Sequence, residues 1–237
     1  MIGDFEEAGQ GPADVDLDRA WLGVAAEVWR RRPGPLERLA GRLLRSPGLA
    51  RVLVTTPSLL LGWVIASVAV LAVGAVATLG TGTPYVAFFA PAVAGVGTAF
   101  AYGPGIDPAW ELSQSMAVSD RMVLLVRALA VFSLNAALGL AASAASGAAA
   151  AVTFGWLLPM TAVCALALAA ATVARSPYTG VAAGLSGWAI TLLSGQVAGR
   201  LTFTITSTGL IAPYLAVAAA CIAVVLYITR IPGGTRS

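Results

Sequence analysis

Residues 59–102 read LLLGWVIASVAVLAVGAVATLGTGTPYVAFFAPAVAGVGTAFAY and contain no charged side chain. A helix that crosses a bilayer needs about 20 predominantly apolar residues. The stretch is long enough for two such helices, and the small polar segment GTGT at 80–83 lies between its halves. It predicts a first span at about Leu59 to Leu79 and a second at about Pro84 to Tyr102, joined by a minimal turn.

The composition of the whole chain agrees with this pair of helices. The protein has 237 residues, of which 58% are hydrophobic and 11% are charged, whereas soluble domains carry about a quarter charged residues. We expect an all-α integral membrane protein with a six-span transmembrane domain over residues 58–230. Ser146-Gly147, set among alanines, indicates a tight hairpin within it. The remaining four spans are predicted at about 121–145, 148–174, 177–195 and 211–229.

The N-terminal region differs in character from the rest. Residues 1–15 are rich in Gly, Asp and Glu, which predicts a disordered acidic tail. They lack the apolar core of a signal peptide, so we expect the N-terminus to stay in the cytoplasm. Residues 16–57 predict amphipathic helices that are cytoplasmic or lie in the membrane interface. In the second of these helices Leu36, Leu39, Leu43 and Leu44 share a face, and the basic residues of this interfacial elbow are Arg38, Arg42, Arg45 and Arg51.

The arrangement of basic residues predicts the orientation of the spans. Arginines cluster before the first span, at the start of the third, between the fourth and fifth, and after the sixth. With six spans and a cytoplasmic N-terminus, these clusters all lie inside, as the positive-inside rule requires. Only Arg200, in the Thr-rich segment 196–210, lies outside. Residues 231–237 then form a cytoplasmic tail.

The residue types that the chain lacks exclude several functions. It has no His and no Lys, so it contains neither a Walker phosphate loop nor the commonest metal ligand and general base. Cys164 and Cys221 lie in apolar runs without metal-ligand spacing, as small buried hydrophobic residues do. We therefore expect no catalytic residues, no metal, no cofactor in this chain and no nucleic-acid partner.

Few polar groups reach membrane depth. Every Asp and Glu lies before residue 38 or within 107–120, which argues against a proton-coupled carrier. Arg127 lies close enough to the cytoplasmic end of its span to snorkel. Asn135, midway along the third span, predicts either an interhelical hydrogen bond or a contact with the translocation path. Gly180 and Gly184 have the spacing of a close helix contact, within the chain or between protomers.

A charged segment stands between the second and third spans, where residues 103–127 read GPGIDPAWELSQSMAVSDRMVLLVR. Asp107-Pro108 is a helix start signal, and Glu111 follows in the favoured first turn. Asp120, directly after Ser119, is a second start signal. The segment thus predicts a short cytoplasmic helix, a break and a new helix, unless it is a plain connection resting on the headgroups. Its further apolar and basic residues are Trp110, Leu112, Met116 and Arg121.

Three stretches resemble type-two ABC transporter permeases, the membrane subunits of bacterial exporters. DPAWELSQSMAVSDRMVLLVRALAVFSLNAALGL at 107–140 resembles the family's "E-L-L-x-A-x-P-V-S" region and third span. Glu111-Leu112 and Ala117-Val118-Ser119 match, whereas the family's proline is missing. RLLRSPGLARVLVTTPSLLLGW at 42–63 resembles the family's basic elbow. WLLPMTAVCALALAAATVARSPYTGVAAGLSGW at 156–188 resembles its fourth and fifth spans.

The resemblance implies a division of labour between chains. A separate ATPase subunit, in two copies, would hold ATP and Mg and seat the helix around Asp107 as a coupling helix. A second permease chain, identical or related, would complete an exporter in the bacterial inner membrane, with both termini of this chain cytoplasmic. The apolar spans suit an amphipathic or lipid-like substrate. Two alternatives are a non-transporting anchor or signalling partner, which would dock through Trp21, Trp29 and Arg30–Arg32, and a secondary carrier.

Overall fold

The computed structural model describes residues 19, 21–23, 34–45, 61–102, 120–197 and 208–230. The described residues are helices and short turns, and no strand occurs among them. A 3₁₀ turn at Thr208–Leu210 leads directly into the last helix. In chain order the helices are α1 Pro35–Leu44, α2 Leu61–Thr81, α3 Tyr85–Phe100, α4 Asp120–Ala145, α5 Ala150–Gly155, α6 Leu157–Ala174, α7 Pro177–Val197 and α8 Ile211–Ile228.

Four helical stretches in the described part are long and apolar enough to cross a membrane. They are Gly62–Thr81, Arg121–Ala145, Ala150–Ala174 and Ile211–Ile228. Helix α3 is apolar but has 16 residues, fewer than the roughly 20 that a perpendicular span needs. Helix α7 has 21 residues, but Ser, Thr, Gly and Gln interrupt its apolar sequence. The all-helical prediction is confirmed, and the fold fits a multi-pass membrane protein.

Helices α2 and α3 form the hairpin that the GTGT segment predicted. Gly82 begins the turn after α2 with a φ of 75°, a left-handed conformation that glycine adopts without strain. The Thr78 hydroxyl donates to Gly74 O at 2.8 Å and accepts the Tyr85 N–H at 3.1 Å. One side chain therefore ties the end of α2 to the start of α3.

The predicted Ser146-Gly147 hairpin is also present. Helix α4 ends at Ala145, and Gly147 has a φ of 69°. The Ser146 hydroxyl donates to Ser143 O at 2.7 Å, and the Ser143 hydroxyl donates across the turn to Thr153 Oγ1 at 3.3 Å. These bonds fold α5 back along α4.

The predicted fourth span is divided into α5 and α6. Pro159 lacks the N–H that would bond to the carbonyl of Gly155, which is the last residue of α5. Trp156 occupies the break and is fully buried. At the other end Arg175 terminates α6 with a φ of 53°, and Pro177 begins α7. The short connection of residues 175–176 makes α6 and α7 antiparallel neighbours.

Helix α6 is the centre of the bundle and packs against α3, α7 and α8. Glycines allow these close approaches. A Cβ atom on Gly180 would lie 2.5 Å from Ala167 O, and one on Gly184 would lie 3.0 Å from Ala167 Cβ. A Cβ on Gly95 of α3 would lie 2.7 Å from Val163 Cγ1. Of the two alternatives for Gly180 and Gly184, the structure therefore shows a contact within the chain.

Much of the outer surface of the described bundle is apolar. The buried core includes Leu71, Val86, Trp156 and Met160 on α2, α3, α5–α6 and their junctions. Outside it, α2 and α8 expose large aliphatic side chains over much of their length, including Ile65, Val73, Val76, Leu215 and Ile222. Since lipid tails are as apolar as these side chains, such a surface is compatible with a bilayer environment.

Candidate functional site

The predicted coupling helix lies outside the described residues. This applies to six of its predicted residues, Asp107, Pro108, Trp110, Glu111, Leu112 and Met116. The other two lie at the start of α4, where Asp120 is the first helical residue and Arg121 is partly exposed. Ser119, the other half of the predicted start signal, lies outside the described residues, so both the start signal and the coupling role stay predictions.

The end of the bundle to which residues 103–119 attach can be placed. The Phe100 ring at the end of α3 packs edge-on against Tyr178 at the start of α7, with centroids 6.0 Å apart. Arg175, in the connection between α6 and α7, lies near enough to Tyr102 to act on its phenol electrostatically. The C-terminus of α3 and the α6–α7 connection therefore share one end of the bundle.

Arg127 does not snorkel as expected. It lies two turns into α4 and is 0% exposed. A guanidinium at such a position is costly to desolvate, and charged groups inside membrane proteins usually face the protein interior. Because its stem and head are both covered, Arg127 belongs to the packed interior of the bundle and does not extend from it as a headgroup contact.

The predicted elbow is partly described. Its residues form helix α1, which Pro35 opens and Arg45 closes in a left-handed conformation with a φ of 50°. Arg38, Arg42 and Arg45 are exposed. Leu39, on the predicted apolar face, is 57% exposed, so the described residues leave most of it uncovered. Arg51 lies outside the described residues.

Asn135 lies inside the bundle and is 2% exposed. Its Nδ2 donates to Val131 O at 2.9 Å, a bond within α4 and not the expected interhelical one. Its Oδ1 is buried and accepts no hydrogen bond from the described residues. A Cβ atom on Gly97 of α3 would lie 3.5 Å from Asn135 Nδ2 and 3.2 Å from Trp63 Nε1 of α2. Asn135 thus stands where α2, α3 and α4 meet.

Two further polar residues of this region were missed by sequence reasoning. Trp63 and Ser67 are four residues apart, so both lie on the same face of α2. Trp63 Nε1 and Ser67 Oγ are buried and form no hydrogen bond with the described residues. We call Trp63, Ser67, Gly97 and Asn135 together the α2–α4 junction. The signal available in the sequence was the Trp–Ser spacing within an otherwise aliphatic run.

A cavity of about 260 Å³ adjoins the α2–α4 junction. Trp63 and Ser67 form part of its wall, and no charged side chain contributes to it. Its remaining lining consists of small and aliphatic side chains from α2, α3 and α7, namely Ala66, Val70, Ala92, Val93, Val96 and Leu185. The cavity can therefore accommodate an uncharged group.

A larger groove of about 440 Å³ runs between α2 and α4 and has only aliphatic side chains in its lining. Leu71 and Ala75 form its floor with Leu138 and Ala142. Among the described residues no group of three His, Cys, Asp or Glu side chains could hold a metal ion. Both cysteines are free thiols, Cys164 fully buried and Cys221 partly buried. Inside the described bundle, the α2–α4 junction is a cluster of uncharged polar groups, separate from the buried Arg127 of α4.

Comparisons with known proteins do not assign this chain to a family. No protein-family model, curated protein or solved structure matches this chain. The likeness to type-two ABC permeases accordingly rests on the quoted motifs of 42–63, 107–140 and 156–188. Any function has to be argued from the chain's own residues and from the bundle that they form.

Proposed function

We propose that this chain is the membrane-spanning permease subunit of an ATP-driven ABC exporter. Six helices, α2, α3, α4, α5–α6, α7 and α8, cross the bacterial inner membrane, and both termini are cytoplasmic. A separate ATPase, in two copies, supplies the energy from ATP and Mg. A second permease chain, identical or related, completes the path, and the cargo is amphipathic or lipid-like.

The observation that carries this proposal is the unequal length of the connections. Residues 82–84, 146–149 and 175–176 join consecutive helices by tight turns. Residues 101–119, between α3 and α4, form a much longer connection that contains Asp107, Glu111 and Trp110. In this proposal the ATP site lies on a separate chain, so the bundle needs a surface on which that ATPase can act. Segment 101–119 is long and polar enough to provide one.

The basic helix α1 fits the elbow of such a subunit. Its exposed Arg38, Arg42 and Arg45 can pair with anionic headgroups, while the exposed Leu39 enters the acyl boundary. The helix would then lie on the cytoplasmic surface and lead into α2. Membrane lipid is therefore a partner of this segment as well as the solvent of the bundle.

The proposal is tested by co-purification from the native host. The full-length tagged chain should bring down an ATPase subunit. Changing Trp110, Glu111 and Met116 together to Ala should reduce its recovery at least several-fold, because apolar anchors and a charged contact are lost at once. A matched control is Thr83→Ala, which alters the connection that the six-span arrangement places outside.

Two results would contradict the proposal. One is that wild-type chain brings down no ATPase under conditions in which the bundle remains folded. The other is that the triple variant binds the ATPase as well as the wild type. Retention in the Thr83→Ala control with loss in the triple variant would locate the contact in segment 103–119.

A second candidate function is a non-transporting anchor for a cytoplasmic regulator. The observation in its favour is that Trp21 and Leu22, in the described helical residues near the N-terminus, are 71% and 69% exposed. Such uncovered apolar side chains suit a docking surface. In the same co-purification, the anchor function predicts a non-ATPase partner whose recovery falls with Trp21→Ala and not with the triple variant.

A further inference from the structure

Three arginines from different elements lie at one end of the bundle. Residues of α4, α6 and α8 meet there in one buried cluster, which Ala101 after α3 also joins. Arg121 lies in the first turn of α4, Arg175 follows α6 and Arg230 follows α8. Arg175 and Arg230 are exposed, and Arg121 is partly exposed. Among the described residues from α2 onward, Asp120 alone has a carboxylate, so these residues give this end a net positive charge.

Two tyrosines lie at the same place as Arg175. The Arg175 guanidinium is close enough to Tyr102 to act electrostatically on its phenol, and the Tyr102 ring packs against the buried cluster. Tyr178, in the first turn of α7, packs its ring edge-on against Phe100 with centroids 6.0 Å apart. Tyr178 is nevertheless 69% exposed. One guanidinium and two phenols are therefore gathered where α3 ends and α7 begins.

The surface beside these polar groups is apolar. Val173, in the last turn of α6 before Arg175, is 59% exposed. An aliphatic surface that ends in tyrosine and arginine matches the boundary between the hydrocarbon and the headgroups of a bilayer. The anion at that depth is the phosphate of the lipids, which a guanidinium can bind through two parallel hydrogen bonds. Phenol hydroxyls can donate to the same phosphate oxygens.

We propose that Arg175, Tyr102 and Tyr178 bind the phosphate of an anionic glycerophospholipid of the bilayer. The guanidinium pairs with the phosphate, the phenols donate to it, and Val173 contacts the hydrocarbon next to the glycerol. The positive charge of this end favours a lipid with a net negative charge over a zwitterionic one, whose own cation would face the arginines. The site binds lipid in whichever leaflet this end lies, with or without an ATPase, so it does not depend on the proposed function.

The test uses the purified full-length chain, immobilised through a tag in non-ionic detergent at physiological salt, and tritiated phosphatidylglycerol as the probe. Unlabelled phosphatidylglycerol should displace the probe about ten-fold better than phosphatidylcholine, in which choline neutralises the phosphate. Inorganic phosphate in the millimolar range should not displace the probe, because it lacks the hydrocarbon that contacts the apolar surface at Val173.

Variants separate this site from the general charge of the bundle end. Arg175→Gln should weaken phosphatidylglycerol binding about ten-fold, and Arg175→Lys about three-fold, since lysine keeps the charge without the planar fork. Tyr102→Phe keeps the packed ring and loses the hydroxyl, so about three-fold weaker binding is expected. Arg230→Gln is the matched control: it removes another exposed charge at the same end and should change the affinity less than about two-fold, because salt screens separated charges. Since Arg175 is exposed, the thermal unfolding midpoint of Arg175→Gln should stay close to that of the wild type.

Equal displacement of the probe by phosphatidylglycerol and phosphatidylcholine would overturn the proposal. An equal loss of affinity in Arg175→Gln and Arg230→Gln would do the same, because the lipid would then respond to the net charge of this end and not to one site. Displacement by inorganic phosphate as effective as by phosphatidylglycerol would make Arg175 a site for free phosphate instead. The chain's own acids are the other possible partners: a several-fold gain of lipid affinity in the double variant Asp107→Asn, Glu111→Gln would assign Arg175 to segment 103–119 and overturn the lipid site.

Discussion

At the scale of single residues, Gly180 shows how this bundle holds together without a hydrophobic driving force between its helices. In lipid, helices associate through close packing, which small residues allow. A Cβ on Gly180 would lie 2.5 Å from Ala167 O and 2.8 Å from Ala171 Cβ. Both are main-chain or Cβ atoms of α6, so neither can move aside as a flexible side chain would. The close contact between α6 and α7 therefore requires a glycine at position 180, where a hydrogen replaces the side chain.

We expect Gly180→Ala to destabilise the protein by about 1–3 kcal/mol, the usual cost of overpacking. The midpoint of thermal unfolding, followed by circular dichroism in detergent, measures the change. Gly80→Ala is the matched control, because a Cβ there meets no atom within 4 Å. In a helix that substitution should be neutral or slightly stabilising. Equal midpoints for the two variants would show that the α6–α7 contact is looser than the structure has it.

Asn135 has little to contribute to stability, since its amide bonds only within α4 among the described residues. Asn135→Leu, close in shape, should change the free energy of unfolding by less than about 1 kcal/mol. Thr78→Val is the contrasting variant, because Thr78 accepts the Tyr85 N–H and joins α2 to α3. That change should cost about 1–3 kcal/mol, as it leaves a polar group without its partner. A larger loss in Asn135→Leu would indicate an interhelical role after all.

At the scale of elements, the hairpins depend on a few turn residues. Gly147 has a φ of 69°, which costs most L-residues roughly 1–2 kcal/mol. No atom lies within 4 Å of a Cβ built there, so the cost is one of backbone conformation alone. We expect Gly147→Ala to lower the unfolding midpoint, and Gly147→Asn to lower it less, because Asn tolerates the left-handed region. A lower unfolding midpoint for Gly147→Asn than for Gly147→Ala would contradict this account.

The positions of the turns and the lengths of the apolar helices could be predicted from the sequence, because both depend on local residues. Ser146-Gly147 marks a turn whatever surrounds it, and the structure has this turn. The burial of Arg127 and the Trp63–Ser67 pair could not be predicted, because they depend on which helix faces which. In a chain so rich in Ala, Val and Leu, nearly every face of every helix is apolar, so periodicity does not identify the inward face. The coupling helix at Asp107 stays a prediction.

At the scale of the whole molecule, the number of helices that cross the membrane determines on which side segment 101–119 lies. The proposed arrangement has six, whereas α3 and α7 fall outside the four described stretches that meet the length and hydropathy requirement. Both helices nevertheless pack along α6. The Trp188 indole of α7 also donates to Phe88 O of α3 at 2.8 Å. Phe88 lies in the same turn as Ala87, whose carbonyl loses its helical partner because Pro91 has no N–H. We therefore expect α3 and α7 to cross as a pair beside α6.

Cysteine labelling in intact cells decides between the two arrangements. With six spans and a cytoplasmic N-terminus, Ala149→Cys lies outside and Ser176→Cys inside. If α3 and α7 do not cross, each of these two positions moves to the opposite side. A membrane-impermeant maleimide should thus label Ala149→Cys before lysis and Ser176→Cys only after it. Thr83→Cys, which lies outside in both arrangements, is the positive control.

The native Cys164 is buried and Cys221 partly buried, so labelling of the unmodified chain gives the background. Labelling of Ser176→Cys in intact cells, with Ala149→Cys protected, would establish four spans and place 101–119 outside, beyond the reach of a cytoplasmic ATPase.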